Sequence, residues 1–183
     1  MDLKSLVTDN VSWLFSGIGG TLVTGVYSCF MRKIGTISGR NSYTDAQFEL
    51  DKKLYMQLRT MFAEGDTIRF ICENNFAGYP YISSMVYPLF DFEQESIKPE
   101  FEFIDKEMNK LLMQLKITIA QFNDLLASNS FPIDDKLHQV PSEWEEEQSE
   151  RFWRVVNGLH DLGRQMWEVW GVLVRTGRGK YGI

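Results

Sequence analysis

The sequence contains few of the residues that build metal centres and disulfide frameworks. Two cysteines, Cys29 and Cys72, and two histidines, His138 and His160, are present among 183 residues. None of these four matches a local ligand spacing such as Cys-x-x-Cys or His-x-x-x-His. We therefore expect no metal, no cofactor and no disulfide framework.

Negative charge outweighs positive charge. Lys and Arg number 19 against 25 Asp and Glu, so the formal net charge is −6. Proteins that bind nucleic acids normally present a basic face to the phosphates, and the composition therefore argues against direct DNA binding. Hydrophobic residues make up 44 % of the chain and aromatic residues 14 %, which is ample for a packed core.

One segment lacks charge altogether. Residues 10–31, between Asp9 and Arg32, contain no Asp, Glu, Lys, Arg or His. As a helix this run would extend about 33 Å, close to the ~30 Å hydrocarbon core of a bilayer. The segment before it has no basic excess, and no small-x-small cleavage site follows, so a signal peptide is not indicated. The sequence predicts a transmembrane helix over residues 11–33, with a buried helix of a soluble domain as the alternative.

The charges beside this run predict its orientation. Arg32, Lys33 and Arg40 follow the run, as the positive-inside rule expects of a cytoplasmic flank. We therefore expect a single-pass protein with a short exterior N-terminus at residues 1–10 and its C-terminal part in the cytoplasm.

Small residues recur at four-residue spacing within the run. In a helix this spacing forms two adjacent rows, and therefore one face of small and hydroxyl-bearing side chains. Helices associate in lipid where small residues let their backbones approach, so this face predicts a homo-oligomer. The alternative is that membrane helices merely tolerate Gly and Ser. The predicted face contains Ser16, Gly17, Gly20, Thr21, Thr24, Gly25 and Ser28.

The rest of the chain predicts an all-α fold. A linker at residues 34–43 precedes a helical bundle of four to five helices at residues 44–183. Thr44 with Gln47, and Ser142 with Glu145, match the capping box that opens many helices. Asp66 is placed to cap a short helix. Apolar residues at helical spacing predict long helices over residues 44–62 and 100–127, and a third after residue 142.

The second of these helices is predicted to begin next to Pro99, because proline is favoured in the first turn. Its apolar side includes Ile104. Pro88 is expected to interrupt the helical run before it. No segment shows the alternation of a strand.

No catalytic arrangement is found, and we expect a protein without enzymatic activity. Two segments are typical of binding. The first is a turn containing Asn74, Asn75, Tyr79 and Tyr81, a composition suited to a partner loop, although a packed connection is the alternative. The second is a basic C-terminal tail with Arg175, Arg178 and Lys180, which could contact anionic headgroups or an RNA backbone.

The segment WLFSGIGGTLVTGVYSCFMRK, residues 13–33, resembles the N-terminal membrane helices of small bacterial proteins encoded with anti-phage defence genes. These helices often contain W-x-F-S-G-I-G, which is matched here at residues 13–19. The resemblance implies a toxin-like effector of the bacterial inner membrane, held inactive by a sensor or regulator of the same system. The resemblance also implies that release of the effector from this regulator leads to membrane damage and to arrest of the infected cell. The alternative is a membrane-tethered adaptor whose cytoplasmic bundle recruits a protein partner.

The orientation can be tested by thiol labelling. A cysteine introduced by Ser5→Cys should react with a membrane-impermeant reagent in intact cells, because residues 1–10 are expected outside. Cys72 should not react until the membrane is opened. The reverse labelling pattern would contradict the predicted topology.

Overall fold

A computed structural model describes residues 43–63 and 66–183 of the chain. This part is 72 % helical, so the predicted helical character is confirmed. It contains six helices and a small three-stranded sheet that the sequence did not predict. The predicted transmembrane helix at residues 11–33 lies outside the described residues. None of the described helices combines the length and the apolar character needed to cross a membrane.

The helices and strands of the described part follow one another in a single compact unit, Tyr43–Ile183. Helices α1 and α2 come first, then strand β1, a single 3-10 turn and helix α3. The long helix α4 is followed by strands β2 and β3, and helices α5 and α6 end the unit. Their bounds are α1 Asp45–Ala63, α2 Thr67–Glu73, β1 Tyr81–Ile82, the 3-10 turn Ser83–Met85, α3 Tyr87–Ser96, α4 Lys106–Asn129, β2 Phe131–Pro132, β3 Leu137–Gln139, α5 Trp144–Glu147 and α6 Ser149–Tyr181.

Helix α1 begins as the sequence predicts. The backbone N–H of Thr44 donates to Oε1 of Gln47 at 3.0 Å, and the N–H of Gln47 donates to Oγ1 of Thr44 at 3.3 Å. This reciprocal pair is the capping box, which satisfies two N–H groups that have no partner within the helix. The helix ends one residue beyond the predicted Phe62.

Asp66 precedes α2 but does not cap it. Its backbone is left-handed, with φ of 52°, and its side chain accepts no hydrogen bond from the first turn. The carboxylate lies 3.6 Å from the guanidinium of Arg69 instead. The prediction of a short helix here was right, and the capping role was wrong.

Helix α4 begins six residues later than predicted. Asp105 caps it, because its carboxylate accepts the N–H groups of Glu107 and Met108 at 3.0 and 2.9 Å. Residues 99–105 are not helical, and Phe101 and Phe103 turn into the core instead. Ile104, expected on the apolar side of the helix, is 44 % exposed.

The last two helices also depart from prediction. No side chain caps α5, so the Ser142 capping box does not form. The chain breaks at Gln148, whose φ and ψ of −139° and 49° are not helical, before α6 begins. Pro88 lies in the first turn of α3, where a missing N–H costs nothing, and therefore starts that helix rather than interrupting it.

The sheet has the antiparallel order β1-β3-β2. Tyr81 pairs with His138, and Phe131 with Gln139. Strands of two or three residues are too short to show alternation, which explains why the sequence did not predict them. The sheet joins the loop after α2 to the hairpin after α4.

Helix α6 packs against α4, α2, α5 and α1. Glycines allow two of these helices to approach closely. A Cβ at Gly163 would lie 3.1 Å from the carbonyl oxygen of Ile71 in α2, and one at Gly177 would lie 2.6 Å from Cδ2 of Tyr55 in α1. The Tyr55 ring is completely buried, and its hydroxyl donates to the carbonyl of Val174 at 3.0 Å.

A buried carboxylate connects α1 to the start of α4. Asp51 is 1 % exposed, and its two oxygens accept the N–H groups of Ile104 and Asp105, each at 2.8 Å. The hydroxyl of Tyr43 also donates to it. These three hydrogen bonds replace the hydration that the carboxylate loses on burial.

The predicted C-terminal tail is part of α6. Tyr181 is buried, and its ring centroid lies 5.6 Å from that of Phe48 and 5.4 Å from that of Tyr55. Lys180 binds the carboxylates of Asp105 and Glu107 at 2.8 and 3.1 Å. The end of the described chain is therefore packed against α1 and α4.

The contact between α1 and α6 predicts opposite effects for two nearby glycine substitutions. Gly177→Ala should reduce the free energy of unfolding by about 1–3 kcal/mol, because its Cβ overlaps the Tyr55 ring. Gly179→Ala should leave it unchanged or raise it by up to about 1 kcal/mol, because that Cβ meets nothing within 4 Å and Ala favours the helix. Urea unfolding of residues 43–183 followed by circular dichroism measures both. Equal effects would contradict the packing at Gly177.

Candidate binding cleft

An open cleft of about 620 Å³ lies between the end of α2, the loop that follows it and the middle of α6. Half of its lining comes from four consecutive residues and half from one face of α6. The lining residues are Cys72, Glu73, Asn74, Asn75, Asn157, His160, Asp161 and Arg164.

The two halves meet because α2 packs closely on α6. Residues 157, 160, 161 and 164 recur at helical spacing, so they share one face of α6. Gly163 lies beside the Ile71 carbonyl, and a side chain there would push α2 away. The absence of a side chain at residue 163 therefore brings residues 72–75 next to the polar face of α6.

The loop that follows α2, on the side of the cleft opposite α6, is held in place by hydrogen bonds. The backbone N–H of Phe76 donates to Nε2 of His160 at 3.1 Å, and that of Ala77 donates to Oδ1 of Asn75 at 3.0 Å. Gly78 adopts a φ of 74°, which favours glycine, and its carbonyl accepts from Gln139 at 2.6 Å. The Phe76 ring is fully buried, so the loop is anchored to the core.

His160 is neutral in this arrangement. Its Nε2 accepts a hydrogen bond, which requires that this nitrogen carry no proton. Burial, together with the nearby Arg164 charge, lowers the pKa of His160 below its ordinary value of 6.5. His160 therefore has a structural role, since it holds the backbone of the loop.

The charged groups of the cleft are compensated locally. Arg164 pairs with Asp161, and Arg69 pairs with Glu73 at 2.9 Å. Burial raises the pKa of the Cys72 thiol, so this side chain is protonated and a poor nucleophile near neutral pH.

One amide group beside the cleft has no hydrogen-bond partner for its nitrogen among the described residues. Nδ2 of Asn74 is buried and donates to no acceptor in the described part of the chain. Paired charges, a protonated thiol and amide side chains suit hydrogen-bonded recognition better than covalent chemistry.

The predicted partner loop divides between two environments. Asn74 and Asn75 line the cleft. Tyr79 is 62 % exposed, whereas Tyr81 is buried in β1 and its hydroxyl lies 2.8 Å from Oγ of Ser130. The structure therefore brings the two asparagines, and neither tyrosine, to the cleft.

Other predicted site residues fall elsewhere. The oligomer face from Ser16 to Ser28 and the flank of Arg32, Lys33 and Arg40 lie outside the described residues. Sequence reasoning missed the α6 half of the cleft. The available signal was the helical spacing of the polar residues at 157, 160, 161 and 164.

Comparison with known proteins returns no relative. No family model matches the chain, and neither a curated protein nor a solved structure is significantly similar to it. Across residues 43–63 and 66–183, no three side chains of His, Cys, Asp or Glu are grouped to hold a metal ion.

The lowered pKa of His160 predicts a pH dependence of stability. As pH falls through 6.5, the imidazole takes up a proton in the unfolded chain before it does so in the folded one. The contribution of His160 is therefore complete above pH 6.5 and decreases as pH falls towards the folded pKa. We expect the loss of unfolding free energy between about pH 7.5 and 5.5 to shrink in His160→Gln.

The matched control is His138→Gln, because His138 lies on β3 outside the cleft. The pH dependence of this variant is compared with that of His160→Gln. If both variants respond to pH alike, the hydrogen bond from Phe76 does not depend on a neutral His160. The midpoint of the His160 imidazole signals in an NMR titration gives a direct check.

Proposed function

We propose that this protein is a membrane-anchored, oligomerising effector of a bacterial anti-phage defence system, without enzymatic activity. The observation that carries the proposal is the uncharged run of residues 10–31, with one face of small and hydroxyl-bearing residues and cations after it. The resemblance of residues 13–33 to membrane helices of such effectors supports it. The protein is then located in the inner membrane, with its N-terminus outside.

The proposed mechanism is association of the membrane helices. Gly20 and Gly17 allow backbones to approach, while Thr21, Thr24 and Ser28 supply hydroxyls that bond between helices or line a wet pore. Oligomers formed in this way disturb the bilayer and dissipate the membrane potential. The helical domain from Tyr43 onward serves as the sensor and assembly module that controls when the helices meet.

An adaptor is the second candidate, and the cleft favours it. Asn74, Asn75 and the polar face of α6 provide donors and acceptors in an open depression with locally paired charges. A protein partner or regulator of the same system could bind there while the membrane helix only anchors the domain. In this case the protein is harmless when expressed alone and co-purifies with that partner.

The small-residue face is tested by adding bulk to it. Gly20→Leu with Thr24→Leu keeps the segment apolar, so membrane insertion should persist. The larger side chains hold the backbones apart, and the Thr24 hydroxyl is lost. We expect the loss of crosslinked oligomers and of growth arrest, with no depolarisation reported by a potential-sensitive dye.

The matched control exchanges residues on the other side of the helix, Ile18→Leu with Leu22→Ile. Its volume and hydropathy are nearly unchanged, so oligomers and growth arrest should remain. If both double variants are equally toxic and equally crosslinked, the small-residue face is not an interface. If the unsubstituted protein neither arrests growth nor depolarises the membrane, the adaptor is favoured.

A further inference from the structure

The two ends of α6 differ sharply in charge. Exposed glutamates lie before and within its first turn, and arginines lie near its last turns. A helix of 33 residues is about 50 Å long, so these groups lie at opposite ends of the domain. The acidic end contains Glu143, Glu145, Glu146, Glu147 and Glu150.

The opposite end gathers cations from two helices. Helix α1 runs antiparallel to the last part of α6, since Phe48 contacts Tyr181 and Phe62 contacts Trp170. Two cations of α1 lie against this contact. Lys52 and Arg59 lie over the rings of Phe48 and Tyr55, each at 6.0 Å. We call Lys52, Arg59, Arg175 and Arg178 the basic end.

The cations of the basic end are largely available. Arg175 and Arg178 are exposed, and neither forms an ion pair with another residue in the described ranges. Asp105 and Glu107 are already bound to Lys180. The exposed carboxylates at this end are Asp45 and Glu49 in the first turns of α1 and Glu100 and Glu102 before α4, and the exposed Lys53 and Lys106 add to the four cations.

The chain enters the domain at this same end. Tyr43 is the first described residue, and its ring centroid lies 6.4 Å from that of Phe48, which in turn contacts Tyr181. A membrane helix ending near residue 33 would leave about ten linker residues before Tyr43. Such a linker would limit how far the basic end can move from the bilayer, but it would not by itself fix the orientation of the domain.

We propose that the basic end binds anionic lipid headgroups and so orients the domain on the membrane, with the acidic end pointing into the cytoplasm. The proposal rests on the membrane anchor of the proposed function. Four cations on a domain of net negative charge bind a lipid surface weakly by themselves. The tether removes this limit, because it raises the local concentration of headgroups around the basic end.

Energy transfer to the bilayer tests this orientation in the full chain. Cys29→Ser and Cys72→Ala remove the native thiols, and a donor dye is then placed by Gly179→Cys or by Glu146→Cys, one at each end of the domain. The protein is reconstituted into vesicles that carry an acceptor on their headgroups, with or without phosphatidylglycerol. The tether alone makes transfer from residue 179 the stronger of the two, so the dependence on lipid charge is the decisive measurement.

We expect phosphatidylglycerol to increase the difference in transfer between the two positions at least twofold over phosphatidylcholine alone. Arg175→Gln with Arg178→Gln should abolish most of this increase, and so should about 1 M salt, where the Debye length is about 3 Å. Arg154→Gln, an exposed arginine near the acidic end of α6, should preserve it. The same difference in both lipids, or no effect of the double substitution, would overturn the proposal.

Failure of the anchor is recognised separately. If residues 10–31 do not span the bilayer, the protein is released from the vesicles by alkaline washing, and the proposed function fails with it. If the protein stays in the vesicles but its transfer ignores lipid charge, the anchor stands and the lipid contact of the basic end is refuted.

Discussion

The contact of Tyr55 with the backbone of α6 at Gly177 determines the geometry of the end at which the chain enters the domain. The Tyr55 ring fills the space that a side chain at residue 177 would occupy, and its hydroxyl donates a hydrogen bond to the Val174 carbonyl. With α1 held at this distance, Tyr181 reaches Phe48 and Tyr55. The buried carboxylate of Asp51 in α1 then accepts the N–H groups of Ile104 and Asp105 at the start of α4. Helices α1, α4 and α6 are therefore joined near Gly177.

The same principle produces the cleft at the middle of α6. Gly163 allows α2 to approach, and residues 72–75 reach the polar face of the helix as a result. Within the cleft each charged side chain has a partner of opposite charge, and His160 is kept neutral by the hydrogen bond that it accepts from the backbone. Such a surface suits recognition by hydrogen bonds better than chemistry on a substrate, because its charges are already paired.

Charge in the domain from Tyr43 onward is separated along α6, the longest of the described helices. Cations near the end of α6 suit the negative end of the helix dipole, and the glutamates before it suit the positive end, so the separation also favours the helix itself. A net charge of −6 conceals this arrangement, since the total says nothing about where each sign is located. The separation becomes visible only once α1 is seen to place Lys52 and Arg59 beside the C-terminal part of α6.

The sequence by itself determined the helical character of the domain and the start of α1, because apolar periodicity and the pair Thr44 and Gln47 are local signals. It misplaced the start of α4, where burial of Phe101 and Phe103 and the cap at Asp105 outweighed the preference of Pro99 for a first turn. It predicted Asn74 and Asn75 as residues of a partner loop, but not that His160 and Arg164, more than 80 residues away in the chain, would line the same cleft. Only the tertiary structure brings these residues together. The approach of α2 to α6 depends on how the two helices pack against each other, and no local sequence pattern predicts that packing.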